Sequence, residues 1–171
     1  MVRRGFTIVE LLIVIVVMGI LLVLGVVNLR GSQANARDEQ RRANIEVIAA
    51  NLEQFYSDGN GTGSSIGRYP STVMISTGPI ENYLVNLDTK VLLDPGAPTG
   101  TTTSLVAASN SNQSIATMAP KPTSANPRYV YQPMQTNNTR CTSESQPCRK
   151  FNLYYYKETT DEIIMVTSRN Q

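Results

Sequence analysis

Glu10 is an acidic residue at the start of a long apolar run, and it is the only charged residue between Phe6 and Val27. A charged side chain inside a membrane costs about 2.5–3.5 kcal/mol at the centre of a helix and less near its end, so it usually has a partner. A simple membrane anchor does not explain this carboxylate. Its position therefore predicts a function that needs a charge at the beginning of the helix.

Cys141 and Cys148 are two further residues whose type and spacing could do chemistry. They follow a membrane-targeting segment, so we expect them outside the cytoplasm, where disulfides persist. A disulfide would close a loop of about eight residues and contribute about 2.5 kcal/mol. A redox pair or a zinc site are the alternatives, but zinc needs four ligands and the chain has no histidine.

Catalytic groupings are scarce in this sequence. The lack of histidine removes His-based triads, no motif supports a Ser–Lys arrangement, and no glycine-rich phosphate loop follows a strand. Asp88 and Asp94 lie near the turn Asp94-Pro95-Gly96 and could join a calcium site, although a capped turn is the simpler interpretation. We therefore predict a protein that is not an enzyme and has no cofactor and no metal.

The N-terminal apolar run must position Glu10. Phe6 to Val27 is 22 residues, which makes a helix of about 33 Å, enough to cross a hydrocarbon core of about 30 Å. Arg3 and Arg4 place its start on the cytoplasmic side. An ordinary signal peptide cut after Ala36 and a plain anchor are the alternatives, but the run is longer than a usual signal peptide core.

The stretch Gly5-Phe6-Thr7-Ile8-Val9-Glu10-Leu11-Leu12-Ile13-Val14 resembles the start of type IV prepilins and type II secretion pseudopilins. The resemblance implies that a membrane aspartyl peptidase cuts after Gly5 and that the new N-terminal residue, Phe6, is N-methylated. It also implies that Glu10 pairs with the terminal amine of a neighbouring subunit. A cation on Phe6 and an anion on Glu10 would each be costly alone in lipid and tolerable together.

The first helix departs from the family at one position, since Val27 stands where many pilins have proline. Gly19 and Gly25 are present instead, and each glycine costs about 1 kcal/mol in a helix relative to alanine. We predict that these glycines are the soft points of the helix in a filament.

The remaining pattern predicts an α+β fold. Residues 1–5 form the leader, 6–28 the transmembrane and filament-core helix, and 29–58 an amphipathic upper helix. An apolar stripe follows spacings of three and four along its upper half, and Asp38 lies one turn before Arg41. The stripe consists of Ile45, Ile48, Ala49, Leu52, Phe55 and Tyr56.

The head is predicted at residues 59–171, with Gly59 and Gly61 ending the helix. It would hold a variable surface loop at 96–127, rich in Thr, Ser, Asn and Pro, and a C-terminal β-meander at 128–168. We expect the meander to be a small three-stranded antiparallel sheet packed on the upper helix.

The charge distribution limits binding to nucleic acid. Formal charge is +2, from 15 basic and 13 acidic residues, and Arg3 and Arg4 account for the excess. A local basic patch of Arg140, Arg149 and Lys150 lies around the cysteines, and repetition along a filament would raise its avidity for DNA. A solvated hairpin end is the simpler interpretation. Lys121 and Arg128 could extend the patch.

The resemblance predicts a structural subunit of an extracellular type IV pilus that serves adhesion, twitching motility or DNA uptake. A pseudopilin of a type II secretion system is the alternative, and a secreted soluble protein with an ordinary signal peptide is the second. The expected partners are other copies of the chain, a prepilin peptidase, a membrane assembly platform and an ATPase. The chain would be a single-pass membrane protein with its head outside, before it joins the extracellular filament.

Overall fold

The protein folds as one long helix with a small α+β head, as a computed structural model describes it for residues 6–59, 65–77, 80–84 and 87–170. Side chains are not described at positions 25–28 and 81. The elements are the helices α1 (Ile8–Asp58) and α2 (Thr72–Thr77), two short 3-10 helices (Ile80–Asn82 and Thr89–Leu92), and the strands β1 (Leu105–Ala107), β2 (Tyr129–Met134), β3 (Lys150–Lys157) and β4 (Glu162–Thr167).

Helix α1 contains 51 residues and is therefore about 76 Å long. Thr7 caps its start, and Gly59 ends it with a φ of 72°, a conformation that glycine adopts without strain. The N–H of Gly59 donates to the carbonyl of Phe55 at 2.8 Å. Gly59 thus ends the helix as predicted, whereas Gly61 lies outside the described residues.

The upper half of α1 carries the predicted apolar stripe. Ile45, Ile48, Leu52 and Phe55 are buried at 0–3% exposure, and the neighbouring Ala49 and Tyr56 are partly buried against the same core. Ile45, Ile48 and Leu52 pack on one face of the sheet. Burial of this stripe fixes the head to the upper half of α1 only.

The sheet has four strands in the order β1-β2-β3-β4, and this corrects the prediction of three. Strands β2, β3 and β4 form the expected antiparallel meander, while β1 adds to β2 in parallel. Strand β1 comes from the segment predicted as a surface loop. A three-residue parallel strand has too little local pattern to be assigned from sequence, because its pairing with β2 is non-local.

The segment 96–127 also covers the back of the sheet. Ala108 and Met118 are 1% exposed and pack on Val130 and Tyr154. Gln132 of β2 donates its side-chain amide to the backbone carbonyls of Asn110 and Asn112 at 3.0 and 2.9 Å. Strand β3 is therefore buried on both faces.

Candidate assembly site

The polar start of α1 forms a capping box. The carboxylate of Glu10 accepts hydrogen bonds from the backbone N–H and the hydroxyl of Thr7, at 2.9 and 2.8 Å. The N–H of Glu10 donates back to the Thr7 hydroxyl at 3.2 Å. Thr7 thus holds the carboxylate of Glu10, the predicted partner of the terminal amine, in a defined position. A Thr three residues before a Glu at the start of a helix is the sequence pattern of a capping box.

Phe6 is 87% exposed beside this capping box. Gly5 and the rest of the leader lie outside the described residues. The cleavage after Gly5, the methylation of Phe6 and its pairing with Glu10 in a second copy stay predictions.

The lower half of α1 presents an unpartnered apolar surface. The large apolar side chains from Ile8 to Leu24 are each 48–87% exposed. By length and composition, this part of the helix can cross a membrane. A surface of this size needs lipid or other helices around it.

The glycines of the lower helix do not interrupt it, since α1 is continuous through Gly19 and Gly25. A Cβ added at Gly19 would meet nothing within 4 Å. The soft points are predicted for a filament, in which neighbouring helices act on α1, so they stay a prediction.

A buried ion network joins the head to α1 where the exposed half ends. The guanidinium of Arg41 donates to Asp94 at 3.0–3.2 Å, to Asp38 at 2.8 Å and to Glu158 at 3.3 Å. Arg37 adds an ion pair to Glu158 at 2.6 Å. The sequence signalled only the spacing of Asp38 and Arg41, because Asp94 and Glu158 are far away along the chain.

Hydrogen bonding sets the charges in this network. Burial acts to raise the pKa of Asp38, but the N–H groups of Glu158 and Thr159, at 2.8 and 2.9 Å, outweigh it and lower the pKa. The hydrogen bond from Arg37 lowers the pKa of Glu158 against the effect of burial. Asp38 and Glu158 are therefore ionised at neutral pH and clamp the β3–β4 turn to α1.

At Asp94, Arg41 pairs with the carboxylate at 3.0 Å. Asp88 accepts a hydrogen bond from the N–H of Lys90 at 2.9 Å and caps the second 3-10 helix. The capped turn is confirmed. In the described ranges, no three His, Cys, Asp or Glu residues are grouped to hold a metal.

The predicted disulfide is present between Cys141 and Cys148, whose Cα atoms are 5.7 Å apart. Both cysteines are buried. Their backbone carbonyls accept hydrogen bonds from Thr72 at 3.0 Å and Tyr69 at 2.9 Å. The disulfide therefore closes the connection between β2 and β3, and the two backbone hydrogen bonds tie that connection to the segment that follows α1.

The cations of this hairpin bind neutral oxygens. Arg140 donates to the carbonyl of Ala108, Arg149 to that of Gly67, and Lys150 to the side chain of Asn138. In the sheet, the backbone of Met134 pairs with Lys150 on one side and with Arg140 on the other. Arg140 and Lys150 therefore lie on opposite sides of Met134.

Arg128 precedes the other end of β2, since Tyr129 begins this strand and Met134 ends it. Arg128 therefore does not extend the patch at the hairpin. DNA binding stays a prediction.

The sequence of the N-terminal segment places it in a class of proteins with a prepilin-type N-terminus. Residues 1–26 match the prokaryotic N-terminal methylation motif. This motif lies on the leader and the exposed half of α1, so the sequence match and the unpartnered surface involve the same part of the chain.

Two curated relatives are named type II secretion system core protein G. The protein from Pectobacterium carotovorum subsp. carotovorum is 36% identical over 70 residues, which is 41% of this chain and 40% of the relative. The protein from Dickeya chrysanthemi is 33% identical over 70 residues, 41% of each chain. This chain thus spans about 40% of the length of these relatives. No solved structure matches.

These findings support the type IV pilin and type II secretion pseudopilin family for this chain. They fit a precursor that is anchored in the membrane by α1 and then assembled. They match the pseudopilin alternative better than the pilus interpretation made from the sequence.

Proposed function

We propose that this chain is a structural, non-enzymatic subunit, cut after Gly5 and assembled through α1 into a filament. The observation that carries the proposal is the coincidence of the methylation motif with the uncovered apolar half of α1. Lipid surrounds that surface before assembly, and the helices of other copies surround it afterwards. The head remains outside the membrane on the upper half of α1.

The filament is the pseudopilus of a type II secretion system. The two relatives support this choice, because both carry the name of a core protein of that system. The processing enzyme is a prepilin peptidase, and a membrane platform with an ATPase drives assembly. All three activities belong to other chains.

The mature N-terminus tests the processing step. Mass spectrometry of the membrane-associated protein should find Phe6 as the first residue, with a methyl group on its amine. A first residue of Arg37 would mean cleavage after Ala36 by an ordinary signal peptidase, and that result would refute the proposal.

Deletion of the gene tests which machine the subunit serves. We expect the deletion strain to lose protein secretion and the parent strain to show no surface filaments of this chain. Surface filaments that disappear on deletion, together with intact secretion, would assign the subunit to a pilus instead.

A further inference from the structure

Arg30 is the single charged residue of the neck, which we define as residues 29–36 between the apolar half of α1 and the head. Its side chain is exposed. Among the residues that the structure describes, it has neither an ion pair nor a hydrogen-bonding partner. The first ion pair to the head is made by Arg37, about 10 Å further along α1.

Arg30 projects from the side of α1 that carries the head. It lies 18 residues before Ile48, which is five full turns of 3.6 residues. Ile48 is fully buried under the sheet. Arg30 therefore points outward beneath its own head rather than toward the opposite side of the helix.

A groove between α1 and β4 presents the carboxylate of Glu46 on the upper half of the helix. Its volume is about 340 Å³. It is lined by Glu46, Ala49, Ala50, Glu53, Val166, Thr167 and Arg169. The floor is apolar. The carboxylate of Glu53 already accepts hydrogen bonds from the Tyr69 hydroxyl, the N–H of Arg169 and the side-chain amide of Asn170, so Glu46 carries the accessible negative charge. Glu46 keeps most of its side chain exposed while it pairs with Arg42 at 3.1 Å.

We propose that Arg30 of one copy docks in this groove of a second copy. The proposal rests on the proposed assembly through α1, in which all helices run in the same direction. The second copy lies nearer the membrane, so that its residues 46–53 reach the level of Arg30. The difference of 16–23 residues corresponds to a shift of about 24–35 Å along the helix axis.

The chemistry of the two surfaces is complementary. The aliphatic stem of Arg30 packs on Ala49 and Ala50, and its guanidinium reaches the exposed carboxylate of Glu46. The contact joins two different patches, so it repeats from copy to copy and produces a filament rather than a closed dimer. An arginine enclosed among helices without such a carboxylate would be costly.

Cysteine cross-linking in assembled material tests the contact. A chain with Arg30→Cys and Ala50→Cys should give a ladder of covalent multimers after mild oxidation of the filaments. A matched control with Arg30→Cys and Thr136→Cys, at the exposed hairpin tip, should give none. If the chain with Arg30→Cys and Ala50→Cys forms filaments in normal yield but gives no ladder, the contact is overturned.

Charge exchange tests its electrostatics. Arg30→Glu should lower the filament yield about tenfold, and adding Glu46→Arg in the same chain should restore it. Adding Glu39→Arg to Arg30→Glu, at an exposed position seven residues before Glu46, should not restore the filament yield. Equal amounts of chain that begins at Phe6 in all variants exclude defects in insertion or processing.

The outcomes separate this contact from the proposed function. An Arg30→Glu chain that assembles like the wild type refutes the contact. So does failure of Glu46→Arg to restore assembly, as expected if Arg30 only meets lipid headgroups. Failure of the wild-type chain to polymerise at all refutes the proposed function itself.

Discussion

Replacement of Arg41 by methionine should remove much of the stability of the head. Arg41 has a side-chain exposure of 2% and binds three carboxylates. Removing one partner of a buried ion pair typically costs about 3–5 kcal/mol, because a charge stays buried without compensation. The whole stability of a domain is about 5–15 kcal/mol, so the loss would be large.

The cost should fall mainly on Asp94. Asp38 keeps the N–H groups of Glu158 and Thr159, and Glu158 keeps Arg37. Asp94 has a side-chain exposure of 1% and would keep one hydrogen bond to its carboxylate, from the N–H of Gly96 at 2.8 Å. Adding Asp94→Asn to Arg41→Met should therefore recover a substantial part of the loss.

Arg42 supplies the matched control. It is the next residue of α1, but its side chain is 64% exposed and pairs with Glu46 in water. Exposed pairs of this kind contribute little stability, because water screens the two charges. Arg42→Met should therefore change the free energy of unfolding much less than Arg41→Met does.

Urea unfolding of the full chain in detergent, followed by near-ultraviolet circular dichroism, measures these effects. All eight tyrosines lie between Tyr56 and Tyr156, so the signal reports on the head and not on the lower helix. A loss below about 1 kcal/mol for Arg41→Met would refute the reasoning. So would a double variant with Asp94→Asn that is no more stable than Arg41→Met alone.

Three further outcomes are expected. Folding lowers the pKa of Asp38 and of Glu158, so both carboxylates stabilise the head at a pH above their pKa in the unfolded chain. Unfolding at graded pH should therefore show this stability being lost below about pH 4. An unchanged stability from pH 6 to pH 2 would contradict this. Replacing both Cys141 and Cys148 by serine should cost about 2.5 kcal/mol in the same urea assay, and equal stability of the two chains would refute the structural role of the disulfide. Gly19→Ala should slow amide exchange in the lower helix by the equivalent of about 1 kcal/mol, whereas unchanged exchange would exclude Gly19 as a soft point.

The sequence predicted those elements of the fold that have a local period. The stripe from Ile45 to Phe55 repeats every three or four residues and defines the buried face of α1. The runs that form β2, β3 and β4 are rich in β-branched and aromatic residues, and the meander followed from them. Gly59 ended α1 because its conformation is local.

Non-local features escaped prediction. Strand β1 has three residues, and its parallel pairing with β2 depends on the whole head. The Thr- and Ser-rich segment indicated a surface loop, yet Met118 within it is buried behind the sheet. Helix α2 is six residues long and contains β-branched residues, so its local propensity is weak. In the ion network, Arg41 contacts Asp94 and Glu158, which follow it in the chain by 53 and 117 positions.

The ion network lies where α1 passes from an uncovered helix to one packed on the head, and its composition fits that place. Apolar packing of Ile45 and Ile48 is non-directional and would tolerate small shifts of the head along α1. The network does not, since Arg41 must meet Asp94 while Asp38 accepts two N–H groups of the β3–β4 turn. A slip of one helical turn would separate these partners by about 5.4 Å and leave buried charges unpaired. The network therefore fixes the height of the head on α1, which a filament of repeated, identical contacts requires of every copy.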